Sequence, residues 1–257
     1  MMELQDVSAG YRGRPVVHHV HLRLARGSLT VLIGPNGSGK STLLRTMAGL
    51  LPPLTGGIWL EGQETVRFTP RQWARQVALL PQARPVPELT AGQLVMHGRY
   101  PYLAFPRTPT RQDQWAACQA LERVGAEALA ERPLRDLSGG ERQRVYLAMM
   151  LAQQANLMLL DEPATYLDIG HQLEMLALIR SLSDEGKTLV VVMHDLTHAF
   201  DLGGRLCLLE AGHMTARGSG RELLPAIERA FGVQALVLRD HRGKERFLFE
   251  TPGQQDG

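Results

Sequence analysis

Val31-Leu32-Ile33-Gly34-Pro35-Asn36-Gly37-Ser38-Gly39-Lys40-Ser41-Thr42 is an apolar run that breaks into a glycine-rich turn and closes on Lys-Ser-Thr. From Gly34 onward it fits the phosphate-binding pattern G-x-x-x-x-G-K-[ST], set where its mechanism needs it, after a strand-like run and before a helical one. Glycines let successive backbone N–H groups turn toward phosphate oxygens, and a helix start adds its positive dipole end. Lys40 is then assigned to the β and γ phosphates of a bound nucleotide, and Ser41 to Mg2+. A strand, a phosphate turn and a helix in that order predict an α/β fold built on parallel strands.

Working outward, three more apolar runs stop as abruptly: Val77 to Leu80, Leu157 to Leu160 and Leu189 to Met193. Runs without alternation read as buried parallel strands. Gln82 follows the first, Asp161 and Glu162 the second, and His194 the third. Ligands of open α/β sheets bind at the carboxyl ends of strands, so these segments are expected to converge on one edge. Val17 to Leu24 alternates instead, which predicts a half-exposed antiparallel strand; its His18, His19 and His21 have no carboxylate or cysteine near them in sequence and read as solvated. From about Pro87 to Gln154 the pattern turns helical. Thr110 with Asp113 marks a helix start, and Trp115, Cys118, Leu121 and Val124 follow at helical spacing. The expected organisation is therefore a unit over residues 1–224 with a helical subdomain inserted at about 87–154. An extension over 225–257 follows, with a hairpin around Asp240 to Lys244.

At about 150 residues per domain, 257 residues make one large domain or two small ones. Apolar residues at 44% exclude a disordered chain, and no repeat or low-complexity tract stands out beyond the polar tail Gly253 to Gly257. The net charge is +2 with signs interspersed, which argues against nucleic acid as a partner. The bases are almost all arginine; the lysines are Lys40, Lys187 and Lys244. Cys118 and Cys207 lack metal-ligand spacing and read as buried reduced thiols. Met1 to Gly13 has no signal-peptide pattern, and no apolar stretch approaches the ~18 residues of a membrane span, so a cytoplasmic chain is expected.

Leu157 to Leu160 delivers two adjacent carboxylates at a strand end. Asp161 suits Mg2+ through water, and Glu162 suits a general base on an attacking water. Leu137-Ser138-Gly139-Gly140-Glu141-Arg142-Gln143-Arg144 carries the [ST]-x-x-[DE] capping signature before a helical run, and a plain well-capped helix is one reading. Two glycines in a first helical turn argue otherwise, since each weakens a helix by about 1 kcal/mol relative to Ala. They make sense where bare backbone amides approach an anion. With one phosphate cradle already in the chain, a second suits another subunit's nucleotide.

These motifs together resemble the nucleotide-binding subunit of an ATP-binding-cassette (ABC) transporter over nearly the whole chain. The resemblance implies a P-loop NTPase (RecA-like) core with an antiparallel β subdomain and an inserted α-helical subdomain. It implies ATP held by Gly34, Pro35, Asn36, Gly37, Ser38, Gly39, Lys40, Ser41 and Thr42, with Tyr11 stacking on adenine. Mg2+ would fall to Ser41, Gln82 and Asp161, and catalysis to Glu162, His194 and Lys40. Leu137, Ser138, Gly139, Gly140, Glu141 and Gln143 become the signature acting on the partner subunit's ATP in a head-to-tail homodimer, and Leu167 with Asp168 the D-loop. Glu141 stands where many members have Gln. His97 to Tyr102 and Ala164 to Gln172 look like segments of importers for ferric siderophores, and less closely of those for haem and cobalamin. Membrane permease subunits, an indirect substrate-binding protein and a peripheral place on the cytoplasmic face of the inner membrane are implied; the surface around Gln82 and Arg99 to Tyr102 is expected to receive a permease helix. A chromosome-maintenance or DNA-repair ATPase with the same cassette would insert hundreds of coiled-coil residues between phosphate turn and signature, but Lys40 and Ser138 are 98 residues apart without sustained heptads.

Overall fold

Strands buried on both faces call for mostly apolar runs, and the runs that predicted them are paired in parallel. The computed structural model describes residues 1–251 except 83–85, 166, 242 and 244; Tyr166, Lys244 and the tail Gly253 to Gly257 lie outside them. In chain order the elements are β1 (Met2–Tyr11), β2 (Arg14–Leu24), β3 (Leu29–Ile33), α1 (Lys40–Met47), β4 (Thr55–Leu60), β5 (Gln63–Glu64), α2 (Pro70–Gln76), β6 (Val77–Leu80), α3 (Ala91–His97), α4 (Arg111–Arg123), α5 (Gly139–Ala152), β7 (Leu157–Asp161), α6 (Ile169–Asp184), β8 (Thr188–Val192), α7 (Leu196–Leu202), β9 (Arg205–Glu210), β10 (His213–Gly218), α8 (Leu224–Phe231), β11 (Gln234–Arg239) and β12 (Glu245–Glu250). They form two compact units, residues 1–65 with 183–257, and residues 66–182.

In the first unit β3 is parallel to both β8 and β9, with Val31 opposite Val191 on one side and Leu206 on the other. Every residue of β3 and β8 is buried. A second sheet, ordered β2-β1-β4-β5, is antiparallel. Along β2, Val20, Leu22 and Leu24 are buried and His19, His21 and Arg23 exposed, as their alternation predicts. The register between β1 and β2 slips at Asp6 and His19, both with left-handed backbone (φ 54° and 49°). The slip supplies the carboxylate that linear sequence withheld, because Asp6 Oδ1 lies 2.9 Å from His19 Nδ1 and 3.7 Å from His21 Nε2. Among the described residues no group of three His, Cys, Asp or Glu is arranged to hold a metal ion. The hairpin of β11 and β12 pairs Leu236 with Leu248. It packs on α7 through Phe247 and Phe249, whose rings lie 4.4 and 5.6 Å from that of Phe200, and through an ion pair from Arg246 to Asp201.

The second unit pairs β6 and β7 in parallel, Leu80 opposite Leu160, with helices around them. Helix α4 starts at Thr110, whose hydroxyl caps Asp113 N–H. Its buried stripe differs from the one predicted. Trp115 is 62% exposed and Cys118 is exposed, whereas Asp113, Ala116, Ala117, Ala120 and Leu121 face inward. Alanines let α4 lie close to α3 and α5, where an indole would hold the helices apart. Cys207, by contrast, is buried, and burial pushes its thiol up to about 11. Among the described residues no helix is long and apolar enough to cross a membrane.

Candidate functional site

The phosphate turn leaves the carboxyl end of β3. Gly39 is the N-cap of α1 with φ 99°, a left-handed conformation that a side chain resists, and it gives the helix no side-chain cap. First-turn N–H groups are thus not taken by a cap of their own. The Lys40 ammonium, only 6% exposed, donates to Gly34 O at 2.7 Å and Pro35 O at 2.9 Å, which holds it over the turn. Ser38 Oγ is buried with no hydrogen-bond partner. A buried hydroxyl, an ammonium and an uncapped helix start form a donor set that suits phosphate oxygens. At the end of β1, Tyr11 keeps its ring 44% exposed while its hydroxyl accepts from Arg45 Nη1 at 3.2 Å, so the ring is steadied yet open to a flat ligand. His194 is exposed just after β8; because Leu32 pairs with Val192, it leaves the same end of the parallel pair as Gly34.

In the second unit, Gln82 and the two carboxylates leave the carboxyl ends of the paired strands β6 and β7. Asp161 is buried. Glu162 has a left-handed backbone, φ 50°, which is uncommon for a residue with a side chain and is a form of strain that gathers at functional sites. Gln82 Nε2 donates to Glu162 Oε2 at 2.6 Å and the Thr165 hydroxyl to the same oxygen at 3.1 Å. Thr165 was missed in the sequence; its spacing of three from Glu162 across a turn was the available signal. Gln143 Nε2 donates to Pro163 O, tying α5 to the turn after β7. Gln82, Gly139, Gln143, Glu162 and Leu167 line one cavity of about 170 Å³, so four separate sequence motifs meet here.

Helix α5 begins with the capping box the sequence predicts. Glu141 N–H donates to Ser138 Oγ at 3.2 Å, and Ser138 N–H to Glu141 Oε2 at 2.8 Å. Ser138's N–H and hydroxyl, with Arg132 beside them, hold the Glu141 carboxyl below the usual range. A Cβ on Gly139 would meet open space, and its φ is not positive, so nothing in this chain demands glycine there. Gly140 is different, because a Cβ there would stand 2.9 Å from His171 Cδ2. Leu137 is buried. Asp168 is exposed, and its carboxylate accepts from the His171 backbone N–H.

The turn expected to receive a partner helix is built otherwise than predicted. Arg99 is 3% exposed: its guanidinium bonds Asp113, Ala152 O and Gln154 and lies 3.9 Å over the Tyr102 ring. Burial works to raise the Asp113 carboxyl, but bonds from Thr110 and Arg99 outweigh it and hold the carboxyl low. Tyr102 donates its hydroxyl to Gln153 O at 3.0 Å. Arg99 and Tyr102 therefore fasten the turn to α4 and α5. The aromatics left at the surface are Tyr100, 51% exposed, and Phe105, 96% exposed.

The profile of the ABC transporter family matches residues 17–165. The chain is 40% identical over 252 residues to the achromobactin transport ATP-binding protein of Dickeya dadantii, covering 96% of this chain and 91% of that protein. It is 38% identical over 240 residues to the ferric enterobactin transport ATP-binding protein of Escherichia coli, covering 92% and 89%. The dimeric structure of a bacterial ABC transporter cassette superposes with a TM-score of 0.75 at 26% identity, over 85% of this chain and 98% of that one. The phosphate turn, the paired carboxylates and the glycine-led helix are thus parts of one inherited cassette, and the chain belongs to the ABC transporter family as a transport-coupled ATPase.

Proposed function

We propose that this chain is the ATPase subunit of an importer of a ferric siderophore or a closely related iron chelate, working as a homodimer on the cytoplasmic side of a separate permease fed by a substrate-binding protein. Residues 1–224 form the cassette and 225–257 an extension in this reading. The observation that carries the dimer is Gly139: its own chain leaves space for a side chain, so the missing side chain answers to something outside. The siderophore relatives and their near full-length match support the cargo.

In the catalytic cycle Tyr11 stacks on adenine, and the Gly34 to Thr42 turn with Lys40 gathers the phosphates. The hydroxyl of Ser41, the amide oxygen of Gln82 and the carboxylate of Asp161 are hard oxygen donors that suit Mg2+. That ion, when bound, offsets charge developing on the phosphates. Glu162, oriented by Gln82 and Thr165, takes a proton from water as its oxygen attacks the γ phosphorus and ADP leaves. His194 steadies the γ phosphate. The partner's Ser138 and glycine amides complete the cage, so closure follows ATP binding and reopening follows hydrolysis.

The test is reconstitution in proteoliposomes with a permease of the siderophore-importer class. Hydrolysis stimulated by a binding protein loaded with ferric siderophore is expected. Stimulation by cobalamin alone would reassign the cargo, and stimulation by none would overturn import of this class.

A further inference from the structure

The start of α6 meets the start of α5 through one imidazole. His171 N–H donates to Asp168 Oδ1 at 2.9 Å, and its ring Nδ1 lies 2.7 Å from Asp168 Oδ2, so both ends of the residue are tied to one carboxylate. Those bonds, the backbone one first, hold the Asp168 carboxyl below its usual range. The ring also reaches the second residue of α5. A Cβ built on Gly140 would stand 2.9, 3.0 and 3.1 Å from His171 Cδ2, Cγ and Nε2, close enough that the ring would have to shift. Gly140, Arg144, Leu167, His171 and Met175 border a cavity of about 280 Å³. The imidazole therefore has room to swing, but only by letting go of Asp168.

We propose that His171 is a positioning residue that fixes the backbone of Gly139 and Gly140 relative to Asp168, so that the glycine amides and the Asp168 loop move as one piece. The inference rests on the reading that these amides act on a partner's ATP. It separates two reasons for adjacent glycines: Gly139 answers to a ligand outside the chain, and Gly140 answers to an imidazole inside it. Its effect falls on turnover in the assembled dimer, since the chain's own Lys40 turn is built from other elements.

Three variants divide the linkage. His171→Asn keeps a donor for Asp168 and removes the ring from Gly140, His171→Phe keeps a ring and removes the donor, and His171→Ala removes both. For His171→Ala, kcat for MgATP is expected to fall about 10-fold with KM within about 2-fold, because displaced catalytic groups lose rate more than binding. At least one of the other two should recover part of that loss. In the nucleotide-free chain, His171→Asn should also shift the amide NMR resonances of Gly139 and Gly140, a readout independent of hydrolysis. An unchanged kcat, a parallel loss of kcat, KM and melting temperature in all three variants, or glycine resonances that stay in place would each overturn the linkage. A wild-type chain that hydrolyses no ATP would overturn the functional reading instead, and the glycine resonances would still decide the linkage.

Discussion

Two helix starts in this chain are proposed to meet phosphate, and they are opposites. Helix α1 begins at a left-handed glycine with no side-chain cap, no acid in its first turn and a buried lysine over it. Helix α5 begins at a serine in a full capping box, with Glu141 in its first turn and no lysine in its signature. The first has its donors and positive charge ready for an anion. The second turns the acceptor side of Ser138's hydroxyl to Glu141 N–H, keeps the O–H to donate, and holds in its first turn a carboxylate already paired with Arg132. In the proposed reading a free phosphate group is a ligand for the first, whereas the second contributes once phosphates are already gathered. That asymmetry gives a physical reason for a nucleotide to bind one subunit first and recruit the other afterwards.

The largest effect expected is on chemistry. Glu162→Gln should lower ATP hydrolysis by about 10²- to 10⁴-fold while ATP binding persists, because a general base is lost and no phosphate contact is. Light scattering should then find an ATP-bound dimer; a variant still monomeric with saturating MgATP would break the proposed division between the two helix starts. Next, Lys40→Ala should weaken MgATP binding about 100-fold by calorimetry, because a charge-assisted contact to phosphate goes; melting should fall only modestly, by the loss of the bonds to Gly34 O and Pro35 O. An unchanged affinity would remove the contrast altogether.

Gly139→Ala sharpens it. The new methyl meets nothing and alanine favours helix, so stability should rise by up to about 1 kcal/mol in urea titration while hydrolysis falls. A variant as active as the parent would make Gly139 an ordinary helical residue. The smallest effect concerns pH. The Glu141 carboxyl is held low in the folded chain, so the support it lends α5 is present above its unfolded pKa and lost as pH falls through the lowered folded one. Melting temperatures of the parent and Glu141→Gln should therefore differ at neutral pH and converge in acid.

The phosphate turn, the strand-end carboxylates and the α5 cap were legible because each depends on contiguous residues of fixed type. What sequence withheld came from pairing. Asp6 reaches His19 only through a register slip, and Thr165 reaches Glu162 only because Glu162 turns left-handed. The buried face of α4 departs from the spacing of Trp115 and Cys118 because close helix packing selects alanine over an indole. Nothing in a linear sequence shows Arg99 lying beneath the Tyr102 ring.

The hairpin at the end of the chain sets a limit on truncation. Phe247 and Phe249 cover Phe200, and Arg246 answers Asp201, so a chain cut after residue 224 would leave an aromatic ring bare and a carboxylate unanswered on α7. Bare rings on a surface favour aggregation. A trimmed form chosen to keep every nucleotide-binding motif would thus purify poorly for a reason that lies outside all of them.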